Sequence, residues 1–187
     1  MRKTETNMKH FWDTISGWFT FPKLYSEMVA RFPSGSRFLE IGTYAGRSFS
    51  YLAVEVVNSG KKIELYGIDG FGWPGEASFE SFMRNMEPIT YAAPDQVMRI
   101  YKGNSVDLSR SFPDAHFEFI FIDANHEYES VKADILAYLP KVKRGGVLAG
   151  HDYSEIEHLG VYQAVHELFP GKFRTQEDCW IVEINDL

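Results

Sequence analysis

Five short runs rich in β-branched and aromatic residues alternate with stretches of helical periodicity, and this rhythm constrains the chain more than any other feature. The runs are RFLEIG (37–42), KIELYGID (62–69), VMRIYKG (97–103), FEFIFID (117–123) and GGVLAGHD (145–152). Helical stretches fall between them over 46–57, with Leu52 and Val56 on one face, over 77–86, and from Val131 through Ile135 to Leu139. Strands separated by helices predict crossover units, a mainly parallel sheet and helices on both faces. FEFIFID is almost continuously apolar, as expected of a strand covered on both sides. A last helix over 161–169, then KFRT and CWIVEI, predicts a closing antiparallel hairpin.

The 187 residues fit one domain. Residues 35–187 form its α/β core. Residues 10–32 carry Phe11, Trp12, Ile15, Trp18, Phe19, Leu24, Met28 and Val29 at roughly helical spacing, which predicts an aromatic helical cap. Residues 1–8 are polar and expected to fray. The formal charge of -7 argues against a nucleic-acid partner, which is held through clustered Lys and Arg. Lys141, Lys143 and Arg144 read as the cationic end of a helix. The single cysteine, Cys179, has no internal disulfide partner and reads as a small buried hydrophobe. No signal-like or membrane-spanning apolar run is seen, so a cytoplasmic protein is expected.

In open α/β sheets, ligands bind beyond the carboxyl ends of the strands, where strand order reverses. The first run ends in FLEIGTYAGRS, where Gly42 and Gly46 allow a tight turn and close approach of a ligand. The following helix start offers free N–H groups. Asp69 ends the second run, placed to accept two ribose hydroxyls, though a solvated strand-end carboxylate would look the same. Gly103, Asn104 and Ser105 follow the third run, where an adenine edge could be read. The glycine spacing is G-x-x-x-G, not the G-x-G-x-x-G of dinucleotide sites, which favours S-adenosylmethionine over NAD.

The fourth and fifth runs leave Asp123 and Asp152 at the same sheet edge. On neighbouring strands they would lie about 4.8 Å apart, within reach of one hard cation such as Mg²⁺. Such an ion lowers the pKa of a bound hydroxyl. His126, three residues beyond Asp123, is placed to act as general base. Each residue also has a bland reading: Asp123 or Asn125 as a helix cap, His151 and Asp152 as turn residues.

E-I-G-T-Y-A-G with a later strand-end Asp resembles motifs I and II of class I S-adenosylmethionine-dependent methyltransferases. IDANHEYESVKADI with KRGGVLAGHDY resembles, over about residues 35–155, the macrocin-type sugar O-methyltransferases and the cephalosporin-hydroxylase-like group (methyltransferase domain family 24), and catechol-type enzymes more distantly. The resemblance implies a Rossmann-like fold with a seven-stranded sheet. It also implies a cofactor site of Glu40, Gly42, Thr43, Gly46, Ser48, Asp69, Gly70, Asn104, Ser105 and Asp123. Asp123 and Asp152 would be catalytic metal ligands, with His126 the base. Catechol-type enzymes carry Asn where Tyr153 stands, and macrocin-type enzymes can carry an acid where His151 stands. His151 stands as the candidate third ligand, one that suits softer metals than Mg²⁺; the alternative is that metal binds weakly or that the His151–Asp152 pair works without it. The implied reaction is methylation of a small-molecule hydroxyl, on a sugar or a phenol. An NAD-dependent oxidoreductase and a non-catalytic nucleotide-binding module remain as alternatives. The segment GFGWPGEASFESFM (70–83) brings Phe71 and Trp73 near the expected cofactor, as pocket, core or dimer interface. Trp12, Trp18 and Phe21 read as core or interface, and a homodimer is a possible state.

Overall fold

The computed structural model describes residues 7–72 and 77–185. A seven-stranded sheet runs through the domain in the order β3-β2-β1-β4-β5-β7-β6. Its members are β1 (Arg37–Ile41), β2 (Glu64–Asp69), β3 (Met98–Lys102), β4 (Phe117–Ile122), β5 (Val142–Gly150), β6 (Arg174–Gln176) and β7 (Cys179–Ile184). The first five pair in parallel, and β7 runs antiparallel between β5 and β6. The expected Rossmann-like α/β fold with a C-terminal hairpin is thus present.

The helices are α1 (Pro22–Arg31), α2 (Arg47–Ser59), α3 (Phe79–Ala92), α4 (Ser105–Ser109), α5 (Tyr128–Tyr138) and α6 (Leu159–Leu168). Alternation along the central strands feeds two cores. Phe38, Phe119, Phe121, Val147 and Ala149 pack with α1, α2 and α3. Leu39, Ile41, Ile120, Ile122 and Leu148 pack with α5 and α6 on the other face. Burial of both faces explains why the β4 sequence reads as an unbroken apolar run.

Several boundaries depart from expectation. The N-terminal cap is one short 3-10 turn (Trp12–Thr14) and α1, with irregular backbone across 15–21, because Gly17 at φ 124° is outside helical space. Met8 is not frayed: its N–H donates to Asn58 Oδ1 at 2.7 Å and its carbonyl accepts from Asn58 Nδ2. Residues 1–6 of the expected frayed start lie outside the described residues. Helix α3 runs past Pro88 because Ile89 and Met86 bury apolar surface on the sheet. Lys143 and Arg144 sit in β5 rather than at a helix end, and Lys143 pairs with Glu118. Cys179 is buried, and burial pushes its thiol pKa up. Among the described residues, no helix is long and apolar enough to cross a membrane.

Candidate active site

Strand order reverses between β1 and β4, and the loops beyond those two strands hold many of the expected site residues. Gly42 makes the approach possible. At φ 90°, a Cβ there would stand 1.8 Å from the Asp123 carbonyl oxygen. The Gly42 N–H donates to Ile68 O at 2.8 Å, and the Asp123 N–H donates to Ile41 O at 2.8 Å. The two loops are therefore locked side by side. Ile122 pairs with Gly150, which sets His151 and Asp152 beside Asp123, as neighbouring strands require.

A cavity of about 750 Å³ opens over these ends. It brings together Gly42, Thr43, Ser48, Asp123, His126, His151 and Asp152 from the expected set. The Thr43 hydroxyl is buried in its wall without a hydrogen-bond partner, a donor and acceptor held ready for a ligand.

The other expected residues lie outside the lining. Glu40 is fully buried below it, accepting from Ser48 Oγ at 2.5 Å and Tyr25 Oη at 2.9 Å. Burial pushes its carboxyl up to about 8, against the pull of those two hydrogen bonds. Gly46 is the N-cap of α2, at φ 92°. Asp69 accepts the Tyr44 N–H at 2.7 Å and the Phe71 N–H at 2.6 Å, which pins the loops after β1 and β2 together. Gly70 follows it without lining the cavity. Asn104 caps α4 by accepting the Asp107 N–H at 3.1 Å, and Ser105 donates to Asp134 of α5. Phe71 is core, packed against Phe79 and Phe82, while Trp73 lies outside the described residues.

The ionisable cluster centres on Asp152, whose φ of 58° places a non-glycine residue in left-handed space. Strain of this kind persists where surrounding contacts over-determine it. His126 Nε2 lies 2.7 Å from Asp152 Oδ2. His151 Nδ1 faces Asp152 Oδ1 at 3.2 Å and Asp123 Oδ1 at 3.4 Å, and its Nε2 meets Thr20 Oγ1 at 2.9 Å. Burial alone would lower the His151 pKa, but hydrogen bonds and charge from the two carboxylates outweigh it and push it up to about 10. Burial likewise works against the Asp152 anion, yet the His126 and His151 hydrogen bonds hold its carboxyl well below the usual range. The hydrogen bond to Asp152 raises the pKa of His126, with burial opposing it. Neither Asp123 nor Asn125 caps α5: its N-cap is Glu127, whose N–H donates to Asn125 Oδ1 at 2.7 Å.

Sequence reasoning missed three contributors. Trp18, expected in core or interface, is 80% exposed and lines the cavity mouth beside Tyr44, because the chain around Gly17 is irregular. Thr20 reaches His151 across 131 positions, and no local pattern signals that contact. His158 Nε2 lies 3.3 Å from Asp152 Oδ1. Its only sequence signal is its place just before α6, six residues after Asp152.

Comparison with known proteins bears on the fold and the family. The methyltransferase domain model Methyltransf_24 matches residues 39–153. The O-methyltransferase NovP superposes with a TM-score of 0.70 at 18% identity, over 88% of this chain and 79% of its own. Cofactor-bound Rv0187 from MTB gives 0.67 at 16% identity, over 94% and 87%. CalS11, a TDP-rhamnose 3'-O-methyltransferase of calicheamicin biosynthesis, gives 0.63 at 16% identity, over 88% and 77%. At these identities the structures speak for the fold. "Uncharacterized protein y4gI" of Sinorhizobium fredii (strain NBRC 101917 / NGR234) is 25% identical over 167 residues, 85% of this chain but 18% of that protein. The chain thus spans less than a fifth of the curated relative it matches. With the family match covering more than half its length, the chain belongs to the Methyltransf_24 family of class I S-adenosylmethionine-dependent methyltransferase domains.

Proposed function

We propose that this domain transfers a methyl group from S-adenosylmethionine to a hydroxyl of a small molecule, with a sugar as the leading acceptor class. The observation that carries the reading is the convergence of the Gly42–Thr43 turn with Asp123, His126 and Asp152 on one cavity. The orphaned Thr43 hydroxyl in the cavity wall fits a nucleoside with an amino-acid tail, and Gly42 lets the Asp123 backbone close against the same turn. S-adenosylmethionine, when bound, supplies an electrophilic sulfonium methyl. Gly42, Thr43 and Ser48 would hold its amino-acid portion. Asp69 would meet the ribose: two of its roughly four lone-pair sites are occupied by backbone N–H groups, so capacity remains. Asn104 and Ser105 would border the adenine.

His126 takes the acceptor proton. Its Nε2 contact with Asp152 fixes the ring and stabilises the imidazolium that forms. Asp123, Asp152 and His151 offer ligand atoms within 4.8 Å of one another, a set that fits a divalent ion. Such an ion would polarise the acceptor hydroxyl. Trp18 and Tyr44 at the mouth present faces that suit a sugar ring. CalS11, similar in fold, is a TDP-rhamnose 3'-O-methyltransferase, which supports the sugar class. The dinucleotide alternative loses its footing with family membership.

Isothermal titration with S-adenosylhomocysteine and with NAD tests the cofactor, followed by methyl transfer to a panel of nucleotide sugars and phenols. Binding of S-adenosylhomocysteine alone, with transfer abolished in His126→Asn, is expected. Binding of NAD alone, or full transfer by His126→Asn, would overturn the reading.

A further inference from the structure

Beside the Asp123–His151–Asp152 group lies a second set of potential ligands on its solvent side. His126, Asp152 and His158 also place one ligand atom each within 4.8 Å of one another. His126 Nε2 is 2.7 Å from Asp152 Oδ2, and His158 Nε2 is 3.3 Å from Asp152 Oδ1. The two imidazoles lie with centroids 4.6 Å apart at 61°. On a four-coordinate ion with bonds of about 2.1 Å, neighbouring ligand atoms stand about 3.4 Å apart. The His158 spacing meets that already. His126 Nε2 meets the other carboxylate oxygen, Oδ2, and its side chain is half-exposed.

Chain geometry holds the two histidines together. Gly160, at the start of α6, packs so closely that a Cβ there would stand 2.3 Å from the His126 carbonyl oxygen. The inner group is arranged differently. His151 is pinned between two carboxylates on one side and Thr20 on the other.

We propose that His126, Asp152 and His158 form a cation site for a borderline transition-metal ion such as Zn²⁺, distinct from the inner group. Two imidazoles and one carboxylate suit such an ion better than Mg²⁺, and solvent exposure leaves its fourth position open. The site does not depend on the methyl-transfer reading. Its consequence does: an ion held on His126 Nε2 replaces the contact with Asp152 that would stabilise the imidazolium formed when the other ring nitrogen takes the acceptor proton.

Equilibrium dialysis with Zn²⁺, and Co²⁺ absorption spectra, are measured on the wild type, His158→Gln, His126→Gln and Asp123→Asn. Circular dichroism and S-adenosylhomocysteine binding on the same samples report folding and the cofactor site separately. The expected result is one Zn²⁺ per wild-type chain. Each histidine variant should weaken binding by at least about tenfold, while Asp123→Asn changes it less than about threefold. Absence of Zn²⁺ binding to the folded wild type overturns the proposal. So does its loss in Asp123→Asn with retention in the folded His158→Gln and His126→Gln. Failure of S-adenosylhomocysteine to bind while Zn²⁺ binds as expected sinks the methyl-transfer reading and leaves the metal site standing.

Discussion

Gly42 and Gly35 form a matched pair that separates backbone strain from close approach. Gly42 has φ 90° and Gly35 φ 92°, so alanine at either meets the same conformational penalty. That penalty is about 1–2 kcal/mol. Around Gly35 a Cβ meets nothing within 4 Å, whereas at Gly42 it meets the Asp123 carbonyl oxygen at 1.8 Å. To restore even a 3.0 Å contact, that oxygen must retreat by 1.2 Å, the difference between the two distances. The Asp123 N–H bond to Ile41 then stretches or breaks. A buried hydrogen bond left unmade costs a further ~1–3 kcal/mol. Gly35→Ala is expected to cost about 1–2 kcal/mol and Gly42→Ala about 2–5 kcal/mol in urea unfolding. S-adenosylhomocysteine affinity, measured by isothermal titration, should be unchanged in Gly35→Ala and at least tenfold weaker in Gly42→Ala, about 1.4 kcal/mol. Equal stability losses and equal affinities in the two variants would refute the claim that the approach of β1 to β4 shapes the site.

His126 acts as a base only when neutral, and Asp152 raises its pKa, so kcat/KM should rise with pH through a value above the ordinary ~6.5. Asp152→Asn removes that support and should move this limb to lower pH; an unmoved limb means that His126 is not the group titrating. Glu40 titrates above its unfolded value, near 8, so its contribution to stability is full below the unfolded pKa and fades as pH rises through about 8. Between pH 5 and 9, Glu40→Gln should therefore lose less stability than the wild type in urea melts, and parallel pH profiles would count against the burial argument. Trp18→Ala, at a residue 80% exposed, should change stability by less than ~0.5 kcal/mol. It should nonetheless raise the acceptor KM about fivefold, the worth of one aromatic contact; an unchanged KM would place the acceptor elsewhere.

The sheet was legible because strand and helix periods alternate cleanly from Arg37 to Phe169, and because burial of β4 on both faces writes itself into FEFIFI. The pairing of Asp123 with His151 and Asp152 followed from that topology alone, since each stands just past a strand end. Elements set by tertiary contact escaped. Helix α4 has five residues, too few for a period to register; Asn104 serves as its cap on Asp107, and Ser105 bonds to the buried Asp134. Glu40 reads from the sequence as lining the cofactor, and its burial escaped because its hydroxyl partners Tyr25 and Ser48 come from two different helices. His158 belongs to a loop whose position depends on α6 packing against residues 126–128, a contact visible only in three dimensions.

Thr20 gives the segment before Pro22 a role that its position in the chain does not suggest. Through Thr20 it touches the far nitrogen of His151, Gly17 and Trp18 form cavity wall, and the Ile15 carbonyl accepts from Arg47 of α2. A truncated form starting at Pro22 would keep every strand of the sheet yet lose one side of its binding chamber. On the proposed function, variation at Trp18 and Thr20 is thus a route to a new acceptor, while the buried Ile15, Phe19 and Phe21 of the same segment belong to the core.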